Sequence, residues 1–231
     1  MDLGPEQIRW IIQALIILIL SICVHEFGHA IVADKLGDSL PRSQGRVSLN
    51  PLAHADPIGT LALPLAALVL TKGASLGFGW GKPVQIMPHR MTRKLTVRRA
   101  HMLVAAAGPS MNFLLAITIM VIHMILLRTG TIEASHGHAM VPSTIHGALQ
   151  YAAFINFVLM FFNLVPAPPL DGGTVLLGVV SDRTARKIEP LAAYGPFLIM
   201  AILFIPPIRK IFTVPSAWLY GNVASLIGLS A

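Results

Sequence analysis

The chain has 231 residues, 55% of them hydrophobic and only 12% charged, and a mean hydropathy of +0.71. This composition excludes an ordinary soluble domain and a disordered chain, and it fits an all-α polytopic membrane protein. The formal net charge of +7 lies in short loops between apolar runs, which is the pattern of cytoplasmic loops facing anionic lipid and not of a nucleic-acid-binding surface.

The expected architecture is a single membrane domain over 1–231, with a core at about 8–180 and C-terminal helices over 190–229. It has about four to six transmembrane helices, with short membrane-associated strands and a re-entrant loop between the first two core helices. The lone Cys23 permits no disulfide within the chain, and its expected role is packing. Residues 10–33 form an apolar run long enough to cross about 30 Å of hydrocarbon. Acids precede this run and it is too long for a signal peptide, so it is read as retained.

Near the end of that run stands His25-Glu26-Phe27-Gly28-His29. On a helix, residues four apart share a face, so His25 and His29 project together as two nitrogen ligands for one zinc ion. Glu26 need not bind the metal, because a carboxylate at that place can take a proton from an activated water. The same pattern occurs by chance on ordinary helices. Here, though, Glu26 is the only charged side chain between Arg9 and Asp34, and burying a carboxylate in hydrocarbon is costly. A metal with its water offsets that cost.

The segment after this run carries Lys35, Arg42 and Arg46, which puts the site near the cytoplasmic face and the amino terminus outside. Polar and apolar residues alternate over 44–49, predicting a short strand ended by Asn50-Pro51. The apolar stretch 58–71 is short for a crossing and reads as re-entrant or interfacial. The region from Lys72 to Arg99 contains basic residues and no acids, as cytoplasmic segments do. Within it, 82–87 is bounded by two prolines and is a second strand candidate. His54, in the turn between Pro51 and Pro57, reads as bonded to nearby backbone or as a group approaching the site.

Residues 100–127 form the next span, with Gly108-Pro109 and Asn112 inside it. An intramembrane Asn seeks a partner, either across a helix–helix contact or at the reacting centre. The loop that follows holds His136, His138 and His146, which are read as solvated. Residues 147–162 return inward, and the helical pattern then breaks over 163–173, where prolines and glycines surround Asp171. An ionised Asp at depth needs a partner, and a zinc ion with two histidines lacks one protein ligand. The two expensive features solve each other. Beyond a further apolar turn at 174–180, residues 191–208 are expected to cross again, and 212–229 to return or lie in the interface.

These residues together resemble the site-2 protease family of intramembrane zinc metalloproteases, in a short bacterial form without extra soluble domains. The likeness rests on His25-Glu26-Phe27-Gly28-His29, Gly108-Pro109 with Asn112, and the Asn163, Pro166, Pro168, Leu170, Asp171, Gly172 pattern, in the family's order. It implies one Zn2+ ion held by His25, His29 and Asp171, with Glu26 as general base. It also implies that Asn112 positions the substrate or the tetrahedral oxyanion, and that the membrane strands pair with an unwound substrate segment. The expected partners are the lipid bilayer and a single-span membrane protein or leftover signal peptide. The expected location is the cell membrane, with cleavage near the cytoplasmic side.

Two other readings stand beside this one. One is a catalytically silent zinc-binding protein that binds transmembrane segments, against which the intact Glu26 argues. The other is a cation transporter, which needs polar groups through both leaflets, whereas residues 11–19 are apolar apart from Gln13.

Overall fold

A computed structural model describes residues 4–73, 79–133, 144–195, 197, 201 and 205–229. Three long helices dominate it: α1 (Pro5–Lys35), α3 (Val97–Arg128) and α4 (Ile145–Asn163). Each is long and apolar enough to cross a membrane, where a helix satisfies every backbone group internally. Between the first two lies a shorter apolar helix, a π-wound turn at Pro57–Ala62 running into α2 (Leu63–Leu70). Among the described residues, α4 is followed by α5 (Asp171–Val179), α6 (Asp182–Ile188), a 3-10 turn at Glu189–Tyr194 and α7 (Pro206–Ile227).

The burial pattern is that of a bundle in lipid. Along α1, Ile8, Ile12, Ile16 and Leu20 recur every four residues and are each about half exposed, at 47–52%. An exposed apolar stripe of this kind is a liability in water and is unremarkable against acyl chains. The opposite face buries Ile11, Ala14, Leu15, Leu18 and Ile22. The central helix α3 packs against α1 on one side and against α4 and α5 on others, while α7 lies on α4. Ala116, Met120, Ala153, Phe157 and Met160 form the apolar core between α3, α4 and α7.

Three candidate crossings are seen among the described residues, fewer than the four to six that the sequence predicts. The predicted crossing over 191–208 lies partly outside the described residues, and α7, long enough at 22 residues, is not apolar enough for a span. The two predicted strands are also absent among the described residues. The first, 44–49, follows a helical turn at Leu40–Ser43, after which Gly45 takes φ +68 and Arg46 N–H returns to Pro41 O at 2.8 Å. The second, 82–87, sends its N–H groups to three separate places instead of one ladder. Lys82 N–H reaches His54 O at 2.8 Å, Val84 N–H reaches Glu26 Oε2 at 3.2 Å, and Met87 N–H reaches the Asp38 carboxylate.

The loop over 79–91 is therefore tied down from outside. Thr60 Oγ1 donates to Trp80 O at 2.7 Å, and the Arg46 guanidinium bonds both Ala53 O and Lys82 O. Asp38 is fully buried and accepts from Leu40 N–H as well as from Met87 N–H. Hydrogen bonds to a charged group are worth about 1.5–3 kcal/mol each, so Asp38→Ala leaves two part-buried donors without their acceptor. The expected result is faster amide exchange over 85–91 with the helices unchanged. Equal protection in both proteins would refute the anchoring role.

Candidate active site

His25 and His29 lie one turn apart on α1. Their rings meet edge to face with centroids 4.7 Å apart, and their Nε2 atoms are separated by 3.0 Å. Opposite them is Asp171, whose Oδ2 lies 3.2 Å from His25 Nε2 and 3.4 Å from His29 Nε2. The three side chains come from opposite ends of the sequence, and a break in the backbone unites them. Helix α4 ends at Asn163, the chain turns through Pro166, Pro168 and Pro169, and α5 restarts at Asp171. A carboxylate in the first turn of a helix is favoured by the partial positive charge of that end.

Close approach of α1 and α3 is made possible by a glycine on each. A Cβ on Gly28 would fall 2.8 Å from Ala107 O and 2.7 Å from Met111 Cγ, and one on Gly108 would overlap His29 Nε2 and fall 2.7 Å from His25 Cε1. Both imidazoles thus rest directly on the α3 backbone. Their other nitrogens are held there too: His29 Nδ1 lies 2.8 Å from Val104 O, and His25 Nδ1 lies 2.7 Å from Asn112 Oδ1.

The donor set passes a simple chemical test. A carbonyl can only accept, so the contact with Val104 O puts a proton on His29 Nδ1, and in the neutral ring this leaves Nε2 with a lone pair. Asp171 Oδ2 is buried without a hydrogen-bond partner, and it faces that lone pair. His25 Nε2 points at the same spot. Three electron-pair donors with all ligand atoms within 4.8 Å of one another suit a metal ion. Two histidines and a carboxylate are the ligand types of a catalytic zinc site, which keeps a further position open.

The three residues line a cavity of about 590 Å³ that also includes Glu26, Trp80, Val84, His101, Phe162 and Thr174. Glu26, half-buried, accepts from Val84 N–H through Oε2. His25, Glu26, His29 and Asp171 therefore come together at one cavity wall, as does Asn112 from below. The oxyanion role that the resemblance gives Asn112 requires an N–H aimed into the cavity. Instead its Nδ2 donates to Ser21 O at 3.2 Å and Asn156 Oδ1 at 2.8 Å. Both of its N–H groups are engaged inside the bundle.

His54 does not line the cavity. It is fully buried with Nε2 2.8 Å from Ser48 O, so it belongs to the loop framework. His136 and His138 lie outside the described residues, and His146 pairs with His123 of α3 at 3.0 Å. Three residues at or behind the site have no place in the sequence motifs: His101, Ser21 and Asn156. His101 had a signal. It begins the α3 stripe of His101, Val104, Ala105, Gly108 and Asn112, which all face the same way by helical spacing.

The peptidase family M50 profile matches residues 13–134 and 127–205. The chain belongs to peptidase family M50. Among curated proteins it is 35% identical over 196 residues to "Putative zinc metalloprotease YwhC" of Bacillus subtilis, covering 84% of this chain and 80% of that one. It is also 29% identical over 202 residues to "Putative zinc metalloprotease Rip2" of Mycolicibacterium smegmatis, covering 87% and 70%. The Rip2 protein of Mycobacterium tuberculosis is 29% identical over 212 residues, covering 92% and 71%. No solved structure matches the chain.

Because a Cβ at position 108 collides with both imidazoles, Gly108→Ala should separate α3 from the histidine pair. The expected outcome is a fall of at least about tenfold in zinc affinity, the size seen when groups orienting a ligand are lost, with helical content retained in circular dichroism. Unchanged affinity would show that the rings are not seated on α3.

Proposed function

We propose that this M50 peptidase hydrolyses peptide bonds within or near the transmembrane segments of membrane-protein substrates. Its substrates are single-span proteins or leftover signal peptides, as in regulated intramembrane proteolysis. The observation that carries this reading is the convergence of His25, His29 and Asp171 beside Glu26 on one cavity wall inside a bundle of apolar helices. His25, His29 and Asp171 would hold one zinc ion. When bound, zinc lowers the pKa of a water molecule to about 7 and polarises the scissile carbonyl.

The chain's own groups do the rest. Glu26 takes the proton of the attacking water on a carboxylate oxygen and passes it to the departing amine nitrogen, a general base turned general acid. The Val84 N–H, 3.2 Å from Oε2, holds that carboxylate toward the cavity. The apolar walls formed by Val84, Phe162 and Leu170 keep bulk water away while leaving room for a peptide.

A peptide bond inside a helix is hidden, so the substrate must unwind before it is cut. The loop beside Glu26 supplies an edge for that unwound segment. The backbone groups of Trp80 and Lys82 are turned outward, to Gly59, Thr60, His54 and Arg46. Gly81 and Pro83 line the cavity itself, with a Cβ on Gly81 falling 3.2 Å from Glu26 Cγ, so this is the stretch of backbone offered to the unwound segment for strand addition. The basic residues after α1, before α3 and on α6 lie at the site's end of the bundle in the chain order. By the positive-inside rule that end faces the cytoplasm, in the cell membrane.

The test uses purified protein in detergent with tagged single-span substrates. Glu26→Gln should keep its zinc and lose cleavage by about 10²–10⁴-fold, the usual contribution of a general base, and a chelator should abolish cleavage by the wild type reversibly. Glu26→Gln cleaving as well as wild type would overturn the mechanism. Zinc binding without cleavage of any substrate by the wild type would favour the catalytically silent zinc-binding protein instead.

A further inference from the structure

The nitrogen that His25 presents to a metal is decided by a chain of buried side chains reaching a third helix. We propose that Asn156 on α4 is a positioning residue. By fixing which way the Asn112 amide faces, it puts the His25 proton on Nδ1 and leaves Nε2 for the zinc ion. This inference rests on the reading of His25 as a ligand.

At the far end of this chain of side chains the donors and acceptors are fixed by backbone carbonyls. Asn156 Nδ2 lies 2.8 Å from Ala152 O and 2.8 Å from Ser21 Oγ. Ala152 O cannot donate, so this end of the amide must be the NH2 group. Ser21 Oγ gives its own proton to Ile17 O at 2.8 Å and so receives Asn156 on a lone pair. The other end of Asn156 is then an oxygen, and it faces Asn112 Nδ2 at 2.8 Å. Asn112 Nδ2 also meets the backbone carbonyl of Ser21 at 3.2 Å. Two acceptors on that side fix it as NH2 and turn Asn112 Oδ1 to His25 Nδ1, 2.7 Å away. Two acceptors cannot share a hydrogen bond without a proton between them, so Nδ1 carries it.

Every donor in the chain has one acceptor, and no wrong orientation is neutral. Turning the Asn156 amide over sets oxygen against Ala152 O, and turning Asn112 over sets oxygen against Ser21 O. Ser21, Asn112 and Asn156 are all fully buried, where unmatched polar groups are most costly. The two histidines explain why such a device is needed at all. His29 leans on a backbone carbonyl, Val104 O, which has only one role to play. His25 leans on a side-chain amide, which has two faces and needs a neighbour to choose between them.

The experiment measures zinc affinity by chelator competition on the full chain in detergent, for wild type, Asn156→Leu, and Asn156→Leu with Asn112→Asp. Leucine keeps the volume and the helix while removing the oxygen that faces Asn112. The expected result is a loss of about 10–100-fold in affinity for the single variant, the range for groups that orient a metal ligand. The double variant should recover it, because either carboxyl oxygen of the aspartic acid can accept from His25 Nδ1 while the other, protonated, donates to Ser21 O. Unchanged affinity in Asn156→Leu, or a loss that Asn112→Asp does not recover, overturns the proposal and leaves Asn156 a packing residue. If the wild type itself binds no zinc, it is the ligand reading that fails, and the two failures are thereby distinguished. A second measurement needs no variant: in 15N-histidine-labelled, zinc-loaded wild type, His25 should show a protonated Nδ1 and a coordinated Nε2. The reverse assignment overturns the proposal.

Discussion

Two imidazole nitrogens and a carboxylate oxygen converge to within 3.4 Å of one another, an arrangement that calls for a positive charge among them. Electron-rich atoms this close repel one another unless a positive charge sits among them, and the apolar helices around them do little to relieve that repulsion. Much of the surrounding structure can be understood as the means of holding this arrangement for a cation. Gly28 and Gly108 bring α1 onto α3, the broken backbone after Asn163 carries Asp171 across, and the amide chain behind His25 keeps its proton turned away.

The same constraint explains what was legible in the sequence. His25, Glu26 and His29 were readable because helical spacing alone puts the two histidines on one face. Asp171 was readable because an acid among prolines and glycines deep in an apolar chain has few ways to exist. The three long helices were readable from their apolar runs. Each of these features is local, or is local once the bilayer is taken as solvent.

What escaped the sequence depends on where side chains meet. Asn112 was visible, but its acceptor role depends on Ser21 and Asn156, which lie on two other helices and carry no spacing signal relative to it. The segment 82–87 has the composition of a strand, yet its N–H groups find His54, Glu26 and Asp38 in three different directions. Alternation of residue types reports which faces are buried and says nothing of whether a neighbouring strand exists to complete a ladder. His54, singled out as a loose histidine, turns out to belong to that loop's framework.

The order in which the centre's parts occur along the chain has a consequence for its synthesis. The histidine pair is made with the first helix, while Asp171 follows only after two more long helices have been completed. On the proposed reading of the site, the nascent protein carries only two of its three metal ligands until α5 is made. The proposed hydrolysis therefore waits on the docking of the helix that restarts at Asp171, the last part of the centre to be synthesised.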